Sequence, residues 1–389
     1  MQKQMNTQVP KIDCPVVEVC GGCQIQQLSY QKQLEKKQNQ VNKLLSKFGK
    51  VEPILGMNNP YYYRNKIHTT FAMNRKGHVI SGKYQAGSHQ VVPIDSCLIE
   101  DQRADEIVVS IRKMLRSFKM RPYNEDNRTG LLRHVLVRTG FQSGQIMVVL
   151  VLGSPVFPSR KNFIKALLEK HPEITTVVMN VNNKKTSMVL GDREQVLYGK
   201  GFIEDTLCGK VFRLSPKSFY QVNPVQTEVL YQTALDLANF KGNETIIDAY
   251  CGIGTIGLIA SDRVKQVIGV ELNQAAVKDA INNAKRNQVK NVYFHQADAS
   301  DFMLEMSRKK QSVDAVLMDP PRSGSTEKFI HALASIKPNK VVYISCNPVT
   351  LARDLESLAK KGYRAEKMIP VDMFPGTNHV ETVVLMSKL

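Results

Sequence analysis

The chain has 389 residues, 42% of them hydrophobic, which excludes a disordered chain and suggests two or three domains at roughly 100–200 residues each. No apolar run reaches the roughly 18 residues that cross a bilayer, and the opening MQKQMNTQVPKIDC has no apolar leader core, so a cytoplasmic protein with no membrane partner is expected. The formal net charge of +18 favours a polyanion partner, nucleic acid first, over a merely soluble basic surface.

In chain order, the first feature is Cys14-x5-Cys20-Gly-Gly-Cys23, with Cys97 far downstream in Val92-Pro-Ile-Asp-Ser-Cys97. The chain has seven cysteines, an odd number, and a reducing compartment is expected, so a disulfide framework is disfavoured. The clustering points to metal or cluster ligation by Cys14, Cys20, Cys23 and Cys97. The spacing leaves zinc and [4Fe–4S] both open, and differs from the C-x3-C-x2-C of radical S-adenosylmethionine enzymes. Residues 24–49 read as a long polar helix with an apolar stripe of Leu28, Leu34, Val41, Leu44 and Leu45.

Residues 60–200 read as α+β, with helices near 103–118 and 160–170 and paired strands at His134–Arg138 and Gln145–Leu152. Tyr61-Tyr-Tyr-Arg64-Asn-Lys66, Arg128, Arg133, His134 and Arg138 offer aromatic and basic groups to RNA, with Arg64 and Arg133 as candidate contacts. A boundary near 205–215 gives a metal- or cluster-binding and RNA-binding domain over 1–208, including helix 24–49, and a second domain over 209–389.

From residue 225 the pattern becomes regular. A helix over 225–239 leads to strands at Thr245–Ala249, Gln266–Glu271, Val292–His295, Asp314–Met318 and Lys340–Ile344, with helices over 273–287 and 350–361. This alternation predicts a parallel, doubly wound α/β sheet. Gly252 and Gly254, in Asp248-Ala-Tyr-Cys-Gly-Ile-Gly254, let backbone approach a ligand. Glu271 lies where an acid accepts from ribose hydroxyls. Asp298 can face an adenine amino group, and Asp319 opens Asp319-Pro-Pro-Arg322. Acids at four successive strand ends resemble a class I S-adenosylmethionine methyltransferase, whose cofactor carries positive charge. A Rossmann-like dehydrogenase is the alternative.

Cys346, in Ser345-Cys-Asn-Pro348, falls where a strand gives way to a helix, and a helix N-terminus is expected to lower its pKa. Beside S-adenosylmethionine a thiolate has a use: added to carbon 6 of a pyrimidine, it makes carbon 5 nucleophilic. A base must then remove the carbon-5 proton, and Glu381, in His379-Val-Glu-Thr-Val383 before a closing apolar strand, is the candidate.

Together with Ser215-Pro-Lys-Ser-Phe-Tyr-Gln-Val-Asn223, these motifs stand in the order of the RNA uracil-5 methyltransferase family, which the chain resembles. The resemblance implies Cys346 as nucleophile and Glu381 as base. It implies cofactor contacts from Gln221, Tyr250, Glu271 and Asp319, supported by Gly252, Gly254 and Asp298, and Phe219 near the substrate. The cysteine arrangement resembles the 23S rRNA-modifying branch, which implies a [4Fe–4S] cluster. Many relatives carry a small β-barrel RNA-binding domain before the cysteines. Thirteen residues precede Cys14, so that domain is expected to be missing. The expectation is a monomeric iron–sulfur enzyme that makes 5-methyluridine in 23S rRNA. Modification of tRNA uridine 54, a cytosine-5 enzyme and a non-catalytic iron–sulfur RNA binder are the alternatives.

Overall fold

The computed structural model describes residues 10–389; residues 1–9, part of the stretch read above for a leader, lie outside it. The chain forms two compact units. One holds the described residues up to Leu28, Asn59–Thr206 and Arg213–Lys217; the other holds Ser29–Asn58, Leu207–Phe212 and Ser218–Leu389.

Helix α1 (Tyr30–Leu45) therefore belongs with the C-terminal half, not with the N-terminal domain expected for it. It is shorter than 24–49, and its buried face is Tyr30, Gln33, Lys37, Val41 and Leu45. Of the expected stripe, Val41 and Leu45 join the core, while Leu28 lies before the helix. The true stripe follows 3.6-residue periodicity but is polar in its first two turns, which hides it from a search for apolar residues.

The first unit is built from β1 (Lys66–Met73), β2 (Val79–Tyr84), β3 (Val91–Pro93), α2 (Gln102–Ser117), β4 (Leu132–Thr139), β5 (Ile146–Leu152), α3 (Arg160–Lys170), β6 (Ile174–Val181) and β7 (Arg193–Tyr198). Its sheet runs β3-β2-β1-β4-β5-β6-β7. The α+β reading and the pairing of β4 with β5 are as expected. Ile67, Phe71, Val135 and Val137 pack with Ile107, Ile111 and Leu115 of α2, each contributing about 1.5–3 kcal/mol by leaving water. Strands alternate faces, so the opposite face of β1 and β4 carries Lys66, His68, Thr70, His134 and Arg138.

A hairpin, β8 (Ile203–Leu207) and β9 (Lys210–Leu214), precedes α4 (Pro224–Ala238). The second unit continues with β10 (Thr245–Ala249), α5 (Thr255–Ala260), β11 (Gln266–Glu271), α6 (Gln274–Arg286), β12 (Val292–Gln296), α7 (Ala299–Arg308), β13 (Ala315–Met318), α8 (Glu327–Ile336), β14 (Lys340–Ser345), α9 (Pro348–Ala359), β15 (Tyr363–Val371) and β16 (Glu381–Lys388). The sheet order is β12-β11-β10-β13-β14-β16-β15. Strands β10 to β14 are parallel, as expected, and β16 inserts antiparallel between β14 and β15. The order reverses between β10 and β13, which opens a crevice at their carboxyl ends.

Candidate catalytic site

Strand β10 delivers a turn with unusual backbone. Tyr250, Gly252 and Gly254 have φ of 64°, 55° and 81°. A Cβ on Gly254 would lie 2.7 Å from the Phe294 ring, whereas open space surrounds the missing Cβ of Gly252. Glu271 fixes the turn: one carboxylate oxygen accepts from the Gly252 N–H at 3.1 Å, the other from Asn273 N–H at 2.8 Å. Asp248 accepts from the Gly257 N–H at 2.8 Å. Burial, then neighbouring Asp319 and Glu271, push Asp248 up to about 7. Burial alone pushes Asp319 up to about 7. Carboxyls strained in this way, beside a cleft left open at a glycine, suit a positively charged, phosphate-free ligand such as S-adenosylmethionine. Asp298, expected to face adenine, caps α7 through Oδ1, which accepts from Ser300 and Asp301 N–H. Gln221 is 8% exposed, and Tyr250 stacks obliquely on Phe329 at 5.2 Å.

Cys346 and Glu381 are brought together by strand register. Ser345 pairs with Thr382 across β14 and β16, so one further step sets Cys346 opposite Glu381. Glu381 is 2% exposed, and its Oε2 has no hydrogen-bond partner among the described residues. Burial, then Asp319, raise its carboxyl well above the usual range, and Arg322 opposes them. The lowered pKa expected for Cys346 is not what this geometry gives. Burial first, then Glu381 and Asp319, push the thiol up to about 11, against Arg322. Asn347 does cap α9, accepting from Val349 N–H at 3.1 Å, but burial and two carboxyls act against the helix terminus.

The loop after β13 is fastened to α9. Asp354 accepts from Ser325 N–H at 2.6 Å and from the Tyr343 hydroxyl at 2.7 Å. The segment before β16 is fastened to α1. Lys37 donates to Asp372 at 2.6 Å and to the Phe374 carbonyl at 3.0 Å. Tyr30 donates to Asp372 at 2.9 Å, and Gly376 N–H donates to Gln33 at 2.7 Å. Asn223 donates to the Met373 carbonyl at 2.9 Å, tying the start of α4 to the same segment. The sequence carried no signal for Lys37, Asp372 or Asp354, because the partners are far apart along the chain.

In the first unit, Cys14, Cys20, Cys23 and Cys97 line one cleft of about 1030 Å³ together with Arg64. Burial, then Cys20 and Cys14, push Cys23 up to about 12. No group of three or more His, Cys, Asp or Glu side chains among the described residues is gathered tightly enough to hold a metal ion. Arg64 donates through Nε to the Lys66 carbonyl at 3.0 Å. Arg133, expected at the RNA surface, is 3% exposed. It pairs bidentately with Glu125 and donates to the carbonyls of Asn182, Lys184 and Thr186, so its guanidinium serves the fold. In the second unit Phe219 is 66% exposed, while Tyr220 beside it is buried.

Residues 29–389 match the family model described as tRNA (Uracil-5-)-methyltransferase. An RNA methyltransferase of Bacillus cereus is 41% identical over 382 residues, covering 97% of this chain and 83% of its own length. One of Halalkalibacterium halodurans is 43% identical over 378 residues, covering 96% and 82%. Among solved structures, the Pyrococcus abyssi tRNA (uracil-54, C5)-methyltransferase in complex with S-adenosyl-L-homocysteine is similar with a TM-score of 0.77 at 28% identity, over 95% of this chain and 86% of that one.

Proposed function

This chain belongs to the tRNA (uracil-5-)-methyltransferase family, whose members are class I S-adenosylmethionine-dependent RNA methyltransferases, and on that premise we propose that it makes 5-methyluridine in 23S rRNA with Cys346 as nucleophile and Glu381 as base. The observation that carries the reading is the register that sets Cys346 opposite a buried Glu381, whose Oε2 has no hydrogen-bond partner among the described residues, at the crevice of the sheet.

Gln221, Tyr250, Gly252, Gly254, Glu271, Asp298 and Asp319 would hold S-adenosylmethionine. Bound there, the cofactor supplies an electrophilic methyl group on a sulfonium. The residues of the chain do the rest. Cys346 Sγ adds to carbon 6 of the uracil, and the π electrons of the carbon 5–carbon 6 bond move toward oxygen 4 as an enolate. Carbon 5 then takes the methyl group. Glu381 removes the proton left on carbon 5, the double bond re-forms, and the Sγ–carbon 6 bond breaks. The raised carboxyl of Glu381 suits a group that must take a proton from carbon. Carbons 5 and 6 must be reached from the face of the base, so the uridine is unpaired or flipped out, with Phe219 and Arg64 as RNA contacts.

The four cysteines of the first unit would hold a [4Fe–4S] cluster with a structural role, since methyl transfer moves no electron. The cysteine spacing favours 23S rRNA. The tRNA reading is favoured by the family description and by the similarity to the Pyrococcus abyssi enzyme. Methyl transfer from labelled S-adenosylmethionine to unmodified total RNA, with tRNA and 23S rRNA separated afterwards, decides between them. Cys346→Ala abolishes the label. Glu381→Gln accumulates a covalent protein–RNA adduct on denaturing gels, and its absence would remove Glu381 from the base role.

A further inference from the structure

Arg322 closes Asp319-Pro-Pro-Arg322, and the roles given above leave it out. Its main chain is gripped by the turn that carries Cys346. Asn347 Nδ2 donates to the Arg322 carbonyl at 3.1 Å, and Thr350 Oγ1 donates to the same oxygen at 3.2 Å. The following residues are held in the same way, with Arg353 donating to the Ser323 and Ser325 carbonyls at 2.9 and 3.0 Å. None of these contacts uses the Arg322 side chain.

The guanidinium turns toward the segment before β16. Its Nη2 lies 3.5 Å from Nε2 of His379, two residues before Glu381. A guanidinium only donates, so Nε2 of His379 is the accepting nitrogen and the ring proton sits on Nδ1. Cys346 is faced by Glu381 from β16, by Asp319 from the end of β13 and by Arg322 from the loop. Tyr231 of α4 faces both carboxyls. His379 is faced by Arg322 and Lys37. Among the charged groups acting on Cys346 and on Glu381, Arg322 is the cation.

We propose that Arg322 is the positioning residue of the thiol–carboxyl pair: its main chain is fixed to the nucleophile's own turn, and its guanidinium is placed so that Cys346 loses its proton to solvent and Glu381 stays ionised. The inference rests on the reading of Cys346 as nucleophile. The guanidinium offsets the two carboxyls at the one point where negative charge must persist before RNA is attacked.

Alkylation of Cys346 by iodoacetamide across pH, read on its own peptide by mass spectrometry, without RNA or cofactor, tests this. Arg322→Gln moves the midpoint up by about half a pH unit or more, or about threefold slower alkylation at a fixed pH below it. Arg322→Lys keeps the midpoint close to that of the parent. Equal melting temperatures check the fold, and Arg322→Met serves if the Gln variant melts early. An unmoved midpoint overturns the proposal, including the case where KM for RNA rises alone, which would make Arg322 an RNA contact. The thiol is read directly, so a failure of the nucleophile reading shows separately, as methyl transfer surviving in Cys346→Ala.

Discussion

Replacing Lys37 with Met tests how the segment before β16 is held. The Lys37 and Asp372 side chains are 1% and 0% exposed and meet at 2.6 Å. Removing one member of a buried pair leaves the other charged and unhydrated, at a cost of about 3–5 kcal/mol. The Phe374 carbonyl loses its donor as well, which adds about 1–3 kcal/mol if water cannot reach it. The Tyr30 hydroxyl still donates to Asp372 and offsets part of this cost, so about 3–5 kcal/mol in all is expected. For a unit of this size, at about 2–4 °C per kcal/mol, the melting temperature falls by about 6–20 °C. Calorimetry or circular dichroism reads it. Adding Asp372→Asn removes the stranded charge while keeping an acceptor for Tyr30, so the double variant recovers at least half of the loss. A single variant melting within about 2 °C of the parent would refute the reasoning, because no buried pair could then be holding the segment before β16.

One further outcome follows from the charges and one from the cysteines. Asp248 and Asp319 stand near 7 in the folded chain, above the roughly 3.9 of an unfolded aspartate. The sign is that of a raised pKa: their contribution to stability is complete below about pH 4 and is lost as pH rises through about 7. A cationic ligand reverses that preference. S-adenosylmethionine binding at pH 7 therefore releases protons, more than S-adenosylhomocysteine does; calorimetry in two buffers of different ionisation heat measures the release, and equal release would refute it. Protein purified without oxygen carries iron and sulfide at about four each per chain, lost in Cys23→Ser; zinc in their place would refute the cluster.

Much of the second unit was legible because its signals are local. Strands β10 to β14 are apolar runs bounded by acids and turn residues, and Asn223-Pro224 and Asn347-Pro348 mark helix starts by cap and ring. Strand β15 escaped because Arg364, Glu366 and Lys367 break its apolar pattern and Pro370 argues against a strand. Helices α5, α7 and α8 are short and fill intervals that β/α alternation required but did not delimit. The register that sets Cys346 opposite Glu381 depends on an antiparallel insertion that no local pattern announces. The charge on Cys346 was misjudged for the same reason. A rule about helix ends sees residues 347–350, whereas the thiol is governed first by its burial and then by Glu381 and Asp319.

Strand β16 separates β15 from β14, yet follows both in the chain. During synthesis β15 emerges before the strand it must pair with, and the β14 edge stays open until residues 381–388 arrive. Such an edge is the place where a nascent chain is exposed to wrong pairing, and where a chaperone has something to cover. Glu381 opens the closing strand, so sealing the edge and delivering the proposed base are one event. A half-made chain can shape the turn from Tyr250 to Gly254, but it lacks the proposed base for any RNA it meets.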